Sequence, residues 1–117
     1  MKILVCDDEI EIVNIMKEYL KSKGCDVEYA LDGGKGLKLI KSGNYDIAFL
    51  DVNMPELSGL EINRYAKDNN VITKIVFLTG YPCINEMFAK ELGADEYLEK
   101  PVDLKVIGEI VDKYRPK

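Results

Sequence analysis

Three stretches of this chain are apolar at nearly every position, and they restrict the possible folds more than any other feature. They are KILVC at residues 2–6, IAFL at residues 47–50 and KIVFLT at residues 74–79. A strand without alternation of apolar and polar residues suits a sheet that is covered on both faces. Helix-forming segments separate these strands, as in a parallel sheet between two layers of helices. The sequence therefore predicts an α/β fold with a doubly wound parallel sheet.

Residues that favour turns and helix caps divide the chain into five strand–helix units. The predicted strands span residues 2–6, 26–30, 47–50, 74–79 and 95–99. The predicted helices run from about 9 to 23, 33 to 41, 58 to 68, 84 to 92 and 103 to 114. The strand at 26–30 alternates in polarity, so we expect it near an edge of the sheet.

The length and charge of the chain narrow the class of protein. With 117 residues, of which 47% are hydrophobic and 32% charged, the sequence predicts one domain over residues 1–117. No apolar run approaches the roughly 20 residues needed to cross a bilayer, and the N-terminus leads into a strand rather than a signal peptide. We therefore expect a cytoplasmic protein without membrane contact. The net charge of -5 argues against direct binding of nucleic acid by this domain.

The chain has three cysteines, Cys6, Cys25 and Cys83, and no histidine. An odd number of cysteines without a close pair argues against a disulfide framework and against a zinc site. We interpret the cysteines as small buried apolar residues. Because histidine is absent, Ser-His-Asp and Cys-His nucleophilic sites are excluded. Phosphoryl or proton chemistry is left to carboxylates, lysine and hydroxyl groups.

Polar side chains lie at the ends of four predicted strands. Asp7 and Asp8 follow the first strand, Asp51 follows the third, Thr79 ends the fourth and Lys100 follows the fifth. Ligands bind at this edge of a doubly wound sheet, so we expect these groups to converge. Three clustered acids would raise one another's pKa unless a cation neutralised them, and oxygen ligands favour Mg²⁺. Such a site suits a phosphoryl group, with Asp51 as the nucleophile because it is the central acid, alone at its strand end.

Each of these residues also has an explanation without catalysis. Asp8 and Glu11 have the spacing of a capping box and could simply begin the first helix. The other two acids could be turn residues, Thr79 an ordinary strand residue and Lys100 a surface charge. Their shared position at one edge of the sheet favours the functional interpretation.

The residues at these strand ends resemble the receiver domain of two-component response regulators. The resemblance rests on four motifs in order: VCDDE (5–9), LDVNMPELSGLE (50–61), FLTGY (77–81) and YLEKP (97–101). Each motif is weak alone, but the four together are highly specific and cover essentially the whole chain. The resemblance implies a flavodoxin-like fold of five strands in the order 2-1-3-4-5.

The resemblance also implies a role for each site residue. Asp51 would accept a phosphoryl group from a phosphohistidine on a sensor histidine kinase or a phosphotransfer protein. Mg²⁺ would be bound by the carboxylates of Asp8 and Asp51 and by the backbone carbonyl of Asn53, with Asp7 acting mainly through water. Lys100 would pair with the phosphoryl oxygens, and its peptide bond to the following proline would be cis.

The resemblance further implies that Thr79 and Tyr97 form a switch pair. On phosphorylation the hydroxyl would move toward the phosphoryl group and the ring would turn inward. The surface that changes would comprise the fourth helix, the fifth strand and the last helix, which would signal to an output domain or partner and could support a homodimer. Asn53 and Tyr81 would flank the pocket and tune the lifetime of the phosphoryl group.

The first helix carries two apolar stripes. The stripe predicted to face the core consists of Ile10, Val13, Met16 and Leu20. The second stripe consists of Ile12, Ile15 and Tyr19. The resemblance implies that this second stripe docks the histidine-bearing partner. The alternative is that loops cover it, or that its members are scattered surface residues without a role.

Two other functions remain open at this stage. A Mg²⁺-dependent phosphatase of the haloacid dehalogenase type also attacks with an Asp at a strand end, but usually carries a second acid where this chain has Asn53. A receiver-like scaffold that binds partners without phosphorylation would have no need for the acids, Thr79 and Lys100. We therefore predict a signalling switch rather than an enzyme.

Overall fold

The computed structural model describes residues 1–80 and 86–116, which form one five-stranded parallel sheet with helices on both faces. The strands are β1 (Lys2–Cys6), β2 (Asp26–Ala30), β3 (Ile47–Asp51), β4 (Lys74–Thr79) and β5 (Glu96–Glu99). The helices are α1 (Ile10–Ser22), α2 (Gly33–Ser42), α3 (Gly59–Asp68), α4 (Glu86–Glu91) and α5 (Leu104–Tyr114). None of the helices in the described part of the chain is long and apolar enough to cross a membrane. The strand order β2-β1-β3-β4-β5 confirms the predicted fold.

The central strands are apolar because both faces of the sheet are covered. Every position of β3 is buried, as are the last four positions of β1 and the last five of β4. One face of the sheet packs against α1 and α5, and the other packs against α2 and α3. The alternating strand β2 lies at the edge of the sheet, as its pattern predicts. The core therefore consists of two apolar layers, one on each side of the same strands.

Side-chain caps determine where several helices begin. Asp32, Ser58 and Asp103 each accept a hydrogen bond from a backbone N–H in the first turn of the following helix. The caps at Ser58 and Asp103 confirm the sequence prediction. Helix α1 differs, because its cap residue is Glu9 and makes no side-chain capping bond. The interpretation of Asp8 as a helix cap is therefore wrong.

The first residue of α1 does not face the core as predicted. Ile10 is 46% exposed, so the prediction that it faces the core is wrong, whereas Val13, Met16 and Leu20 are fully buried. Ile10 is the first residue of α1 and follows the loop that leaves the edge of the sheet, where the regular helical stripe has less to pack against. The predicted beginning of the fourth helix at Ile84 lies outside the described residues.

Candidate functional site

The strand ends bring the predicted polar residues to one edge of the sheet. Asp7 directly follows β1, Asp51 is the last residue of β3, and Thr79 is the last residue of β4. Lys100 follows β5, and its backbone N–H donates a hydrogen bond to the carbonyl oxygen of Thr79 at 2.8 Å. Asp7, Asp51 and Thr79 are buried, while Asp8 is exposed at the mouth of the site. The predicted convergence of acids, hydroxyl and ammonium is therefore confirmed for this edge.

The Lys100 ammonium lies among three carboxylates. Its Nζ atom is 2.9 Å from Asp7 Oδ2, 3.1 Å from Glu9 Oε1 and 3.3 Å from Asp51 Oδ2. Burial lowers the pKa of Lys100, but the side-chain contacts with Asp7 and Glu9 and the charges of Asp51 and Asp7 outweigh it, so the net pKa is raised. Lys100 is therefore fully charged at neutral pH and held in place by its anionic neighbours.

The two carboxylate oxygens of Asp7 have different surroundings. Oδ1 accepts a hydrogen bond from the backbone N–H of Glu9 at 2.8 Å. Oδ2 is buried and has no hydrogen bond of good geometry, although the Lys100 ammonium forms an ion pair with it. A buried carboxylate oxygen with spare lone pairs is able to accept a further cation or a water molecule.

Asp51 combines burial with a negative neighbour. Burial raises its pKa most, and the charge of Asp7 raises it further. The backbone N–H of Asn53, which donates to Asp51 Oδ1 at 3.1 Å, and the Lys100 ammonium act in the opposite direction. The net effect raises the pKa of Asp51 from 3.8 to about 6. A proton or another cation is therefore favoured at this carboxylate far more than at an exposed aspartate.

The acids fit a divalent metal ion with oxygen ligands. One carboxylate oxygen from each of Asp7, Asp8 and Asp51 lies within 4.8 Å of the others. The Asp7 oxygen that accepts no hydrogen bond and the raised pKa of Asp51 both indicate negative charge that the single Lys100 ammonium does not fully neutralise. Carboxylates without sulfur or imidazole ligands favour Mg²⁺. The residues present therefore fit the Mg²⁺ site that the sequence predicts.

Gly59 allows α3 to begin directly against the end of β3. A Cβ atom at this position would clash with the backbone oxygen of Asp51. The backbone N–H of Gly59 also donates to the carbonyl oxygen of Val52 at 3.3 Å. The absence of a side chain at Gly59 therefore helps to fix the position of Asp51.

The remaining predicted site residues lie around this edge. The Asn53 side chain is exposed next to Asp51, and the peptide bond between Lys100 and Pro101 is cis, as the resemblance implies. Tyr97 is partly buried on β5, where it pairs with Phe77 of β4. Tyr81, the other residue expected to flank the pocket, lies outside the described residues. The assignments of Asn53 as a metal ligand and of Tyr97 as part of a switch stay predictions.

The second apolar stripe of α1 is only partly exposed. Ile15 is 48% exposed, whereas Ile12 and Tyr19 are partly buried and pack against the core layer formed with α5. The Tyr19 hydroxyl lies against Gly108 of α5, where it would contact an added Cβ atom. Ile15 is therefore the member of this stripe that is most available to a partner, and the docking role stays a prediction.

Sequence reasoning missed Glu9 as a member of the site. Its carboxylate contacts Lys100 across 91 positions of sequence, although 59% of the Glu9 side chain is exposed. The position of Glu9, directly after Asp7 and Asp8 at the same strand end, could have indicated that it belongs to the site. Treating it only as the first residue of a helix concealed that signal.

Comparisons with known proteins agree with this geometry. The family model described as "Response regulator receiver domain" matches residues 3–112. The chain is 36% identical over 107 residues to the transcriptional regulatory protein DltR of Streptococcus agalactiae, covering 88% of this chain and 46% of that protein. The chain thus spans less than half the length of that curated relative.

Solved structures show the same fold. The receiver domain of the Francisella response regulator 1452 has a TM-score of 0.91 and 30% identity, with 97% of this chain and 94% of that chain covered. The response regulator protein TrrA of Thermotoga maritima, in complex with Mg²⁺–BeF, has a TM-score of 0.86 and 36% identity, with 97% of each chain covered.

Proposed function

The chain belongs to the family of response regulator receiver domains, and from this premise we propose that it is a signalling switch that is phosphorylated on Asp51. One observation carries the proposal: Asp51 ends the central strand with Asp7 on one side and the Lys100 ammonium 3.3 Å from its carboxylate. The Asp51 carboxylate therefore lies next to the Lys100 ammonium and within the carboxylate cluster that fits a metal ion. We take the whole of residues 1–117 as the receiver domain.

Asp51 is the nucleophile of the proposed reaction. One of its carboxylate oxygens forms a bond to phosphorus, while the bond from phosphorus to the imidazole nitrogen of a phosphohistidine on the donor breaks. The electron pair of that bond stays on the imidazole, which takes a proton. The Lys100 ammonium pairs with the phosphoryl oxygens, and the Thr79 hydroxyl donates a hydrogen bond to one of them.

Asp8 and Asp51 would hold Mg²⁺ through carboxylate oxygens, together with the backbone carbonyl of Asn53, and Asp7 would act mainly through water. When bound, Mg²⁺ supplies positive charge that neutralises the phosphoryl oxygens and the clustered acids. The buried oxygen of Asp7 without a hydrogen bond supports this assignment, because it has lone pairs to share. The neighbouring structure named above, which contains Mg²⁺–BeF, supports it by relationship.

The proposed output of the switch is a change on the surface formed by α4, β5 and α5. In the phosphorylated state Thr79 gains a contact that is absent otherwise, and Tyr97 turns inward beside it. The donor would be a sensor histidine kinase or a histidine phosphotransfer protein. The relative DltR is a transcriptional regulatory protein, so an attached output domain or a separate partner would read the switch, and a homodimer could form on phosphorylation.

A phosphatase is the competing function, and Asn53 argues against it. The general acid of such an enzyme would lie two residues after the nucleophile, and an amide cannot supply a proton as a carboxylic acid does. Turnover of many phosphomonoester molecules per protein would favour the phosphatase. A single phosphoryl group retained on the protein favours the switch.

Intact mass spectrometry tests the proposal directly. The native chain and Asp51→Ala are incubated with acetyl phosphate, each with Mg²⁺ and with EDTA. We expect one added phosphoryl group on the native chain with Mg²⁺, and none on Asp51→Ala or in EDTA. Equal labelling of Asp51→Ala would place the acceptor elsewhere. No labelling in any sample, together with no binding of beryllofluoride, would leave a receiver fold that acts by binding alone.

A further inference from the structure

The Lys100 ammonium has as many carboxylate partners as it has hydrogens. An ammonium group donates up to three hydrogen bonds, and Asp7, Glu9 and Asp51 supply one oxygen each at 2.9 to 3.3 Å. The Lys100 side chain is only 14% exposed, so water has little access to it. A new anion that contacts this ammonium therefore competes with the carboxylates already paired with it.

Glu9 differs from the other two partners of Lys100. Asp7 and Asp51 are buried, and both also lie in the carboxylate cluster that fits a metal ion. The Glu9 side chain is 59% exposed and does not belong to that cluster. Its backbone N–H donates to Asp7 Oδ1, which fixes the Glu9 backbone beside the site while its carboxylate reaches Lys100. Glu9 is therefore the partner that Lys100 releases at least cost.

We propose that Glu9 is a positioning residue that competes with the phosphoryl group for the Lys100 ammonium. This inference rests on the proposed function and adds a residue to it. Without a phosphoryl group on Asp51, Glu9 holds the Lys100 ammonium in place through their contact at 3.1 Å. When a phosphoryl group occupies Asp51, the ammonium turns to the phosphoryl oxygens and the Glu9 carboxylate moves into water. Glu9 thereby lowers the affinity of the site for a phosphoryl group and favours the unphosphorylated state.

Two substitutions of Glu9 separate the contact from the charge. Glu9→Gln removes the negative charge, whereas Glu9→Asp keeps the charge and withdraws the carboxylate by about 1.5 Å, the length of one carbon–carbon bond. Because the Glu9 backbone is held by Asp7, the shorter side chain does not reach Lys100. Glu11→Gln is the matched control, since Glu11 is an exposed acid in the first turn of α1.

The probe is beryllofluoride, a mimic of the phosphoryl group, titrated at saturating Mg²⁺ into the ¹⁵N-labelled full chain and followed by backbone amide shifts. We expect Glu9→Gln and Glu9→Asp each to lower the Kd about two- to fivefold, which is the range that one partly exposed ion pair allows. Glu11→Gln should change the Kd by less than about 1.5-fold, because Glu11 is exposed and salt screens its charge. Thermal unfolding is measured on every variant, since a merely structural role would lower stability without tightening binding.

Each remaining result overturns the inference. If both Glu9 variants bind beryllofluoride as the native chain does, Glu9 does not compete for Lys100. If Glu9→Gln binds more tightly but Glu9→Asp does not, the charge acts at a distance and the contact is irrelevant. If the native chain and all variants fail to bind beryllofluoride, the proposed function fails and this inference fails with it, a result that differs from the first two.

Discussion

Asp51→Asn should stabilise the protein at neutral pH when Mg²⁺ is absent. The folded chain raises the pKa of Asp51 from 3.8 to about 6, chiefly by burial, so folding opposes the ionised form. One pKa unit corresponds to about 1.4 kcal/mol, which gives an upper limit of about 3 kcal/mol for a shift of about two units. Asp8 is exposed beside Asp51, so water screens part of this effect. We therefore expect a gain of about 1–2 kcal/mol in the free energy of unfolding.

The sign of the effect follows from the pKa of Asp51 in the two states. Well below pH 3.8 the carboxyl is protonated in both the folded and the unfolded chain, so Asp51→Asn and the native chain should be about equally stable. Between about pH 4 and pH 6 the unfolded chain ionises first, which destabilises the native fold as the pH rises. Above about pH 6 the difference is constant. The advantage of Asp51→Asn should therefore grow from pH 4 to pH 6 and then level off.

Urea unfolding at pH 4, 5, 6 and 7 in EDTA measures this difference, with the exposed Glu18→Gln on α1 as a control for the loss of one negative charge. The control should stay within about 0.5 kcal/mol of the native chain at each pH. Addition of Mg²⁺ should stabilise the native chain and reduce or reverse the advantage of Asp51→Asn, since a cation relieves the same charge. If Asp51→Asn is less stable than the native chain at pH 7 in EDTA, the Lys100 ion pair outweighs burial and our reasoning is refuted.

Three further outcomes follow from the contacts described above. Gly59→Ala should lower the rate of labelling by acetyl phosphate at least about tenfold, because the new Cβ would displace the backbone of Asp51. Gly80→Ala is the control and should be labelled at the native rate, since no described atom lies within 4 Å of the added Cβ. Asn63→Ala should lower the free energy of unfolding in urea by about 1–3 kcal/mol, because the buried Asn63 side chain donates a hydrogen bond at 2.7 Å to the carbonyl oxygen of Leu92, which follows α4. A loss below about 0.5 kcal/mol would contradict this expectation. Ile15→Ala should slow phosphotransfer from the cognate kinase about three- to tenfold and leave labelling by acetyl phosphate unchanged. The control is Ile72→Ala, at a residue that is 92% exposed and remote from the site. Equal slowing of both reactions by Ile15→Ala would contradict a docking role.

Sequence reasoning was most reliable where the geometry of a parallel sheet leaves little choice. The carboxyl ends of parallel strands meet at one edge, so Asp51 and Lys100 could be placed together although 49 positions separate them. Ile10 was misplaced because helical periodicity does not reveal where the packing partner of a helix ends. The contact of Glu9 with Lys100 was missed because it depends on the conformations of two long side chains, which residue spacing does not determine.

The cost in stability at Asp51 and the proposed chemistry have the same physical origin. Burial next to Asp7 raises the pKa of Asp51, and it also strengthens the electrostatic contacts that the Asp51 carboxylate makes on its buried side, where water screens them less. A phosphoryl group and Mg²⁺ at this position would therefore interact with Lys100 and the acids more strongly than at an exposed carboxylate. Glu9 lies on the exposed side of Lys100, where its contact is weak enough to exchange. The buried contacts of a phosphoryl group on Asp51 would favour the phosphorylated state, and the exposed Glu9–Lys100 contact would favour the unphosphorylated state. The difference between these two free energies sets the balance of the two states, as a reversible switch requires.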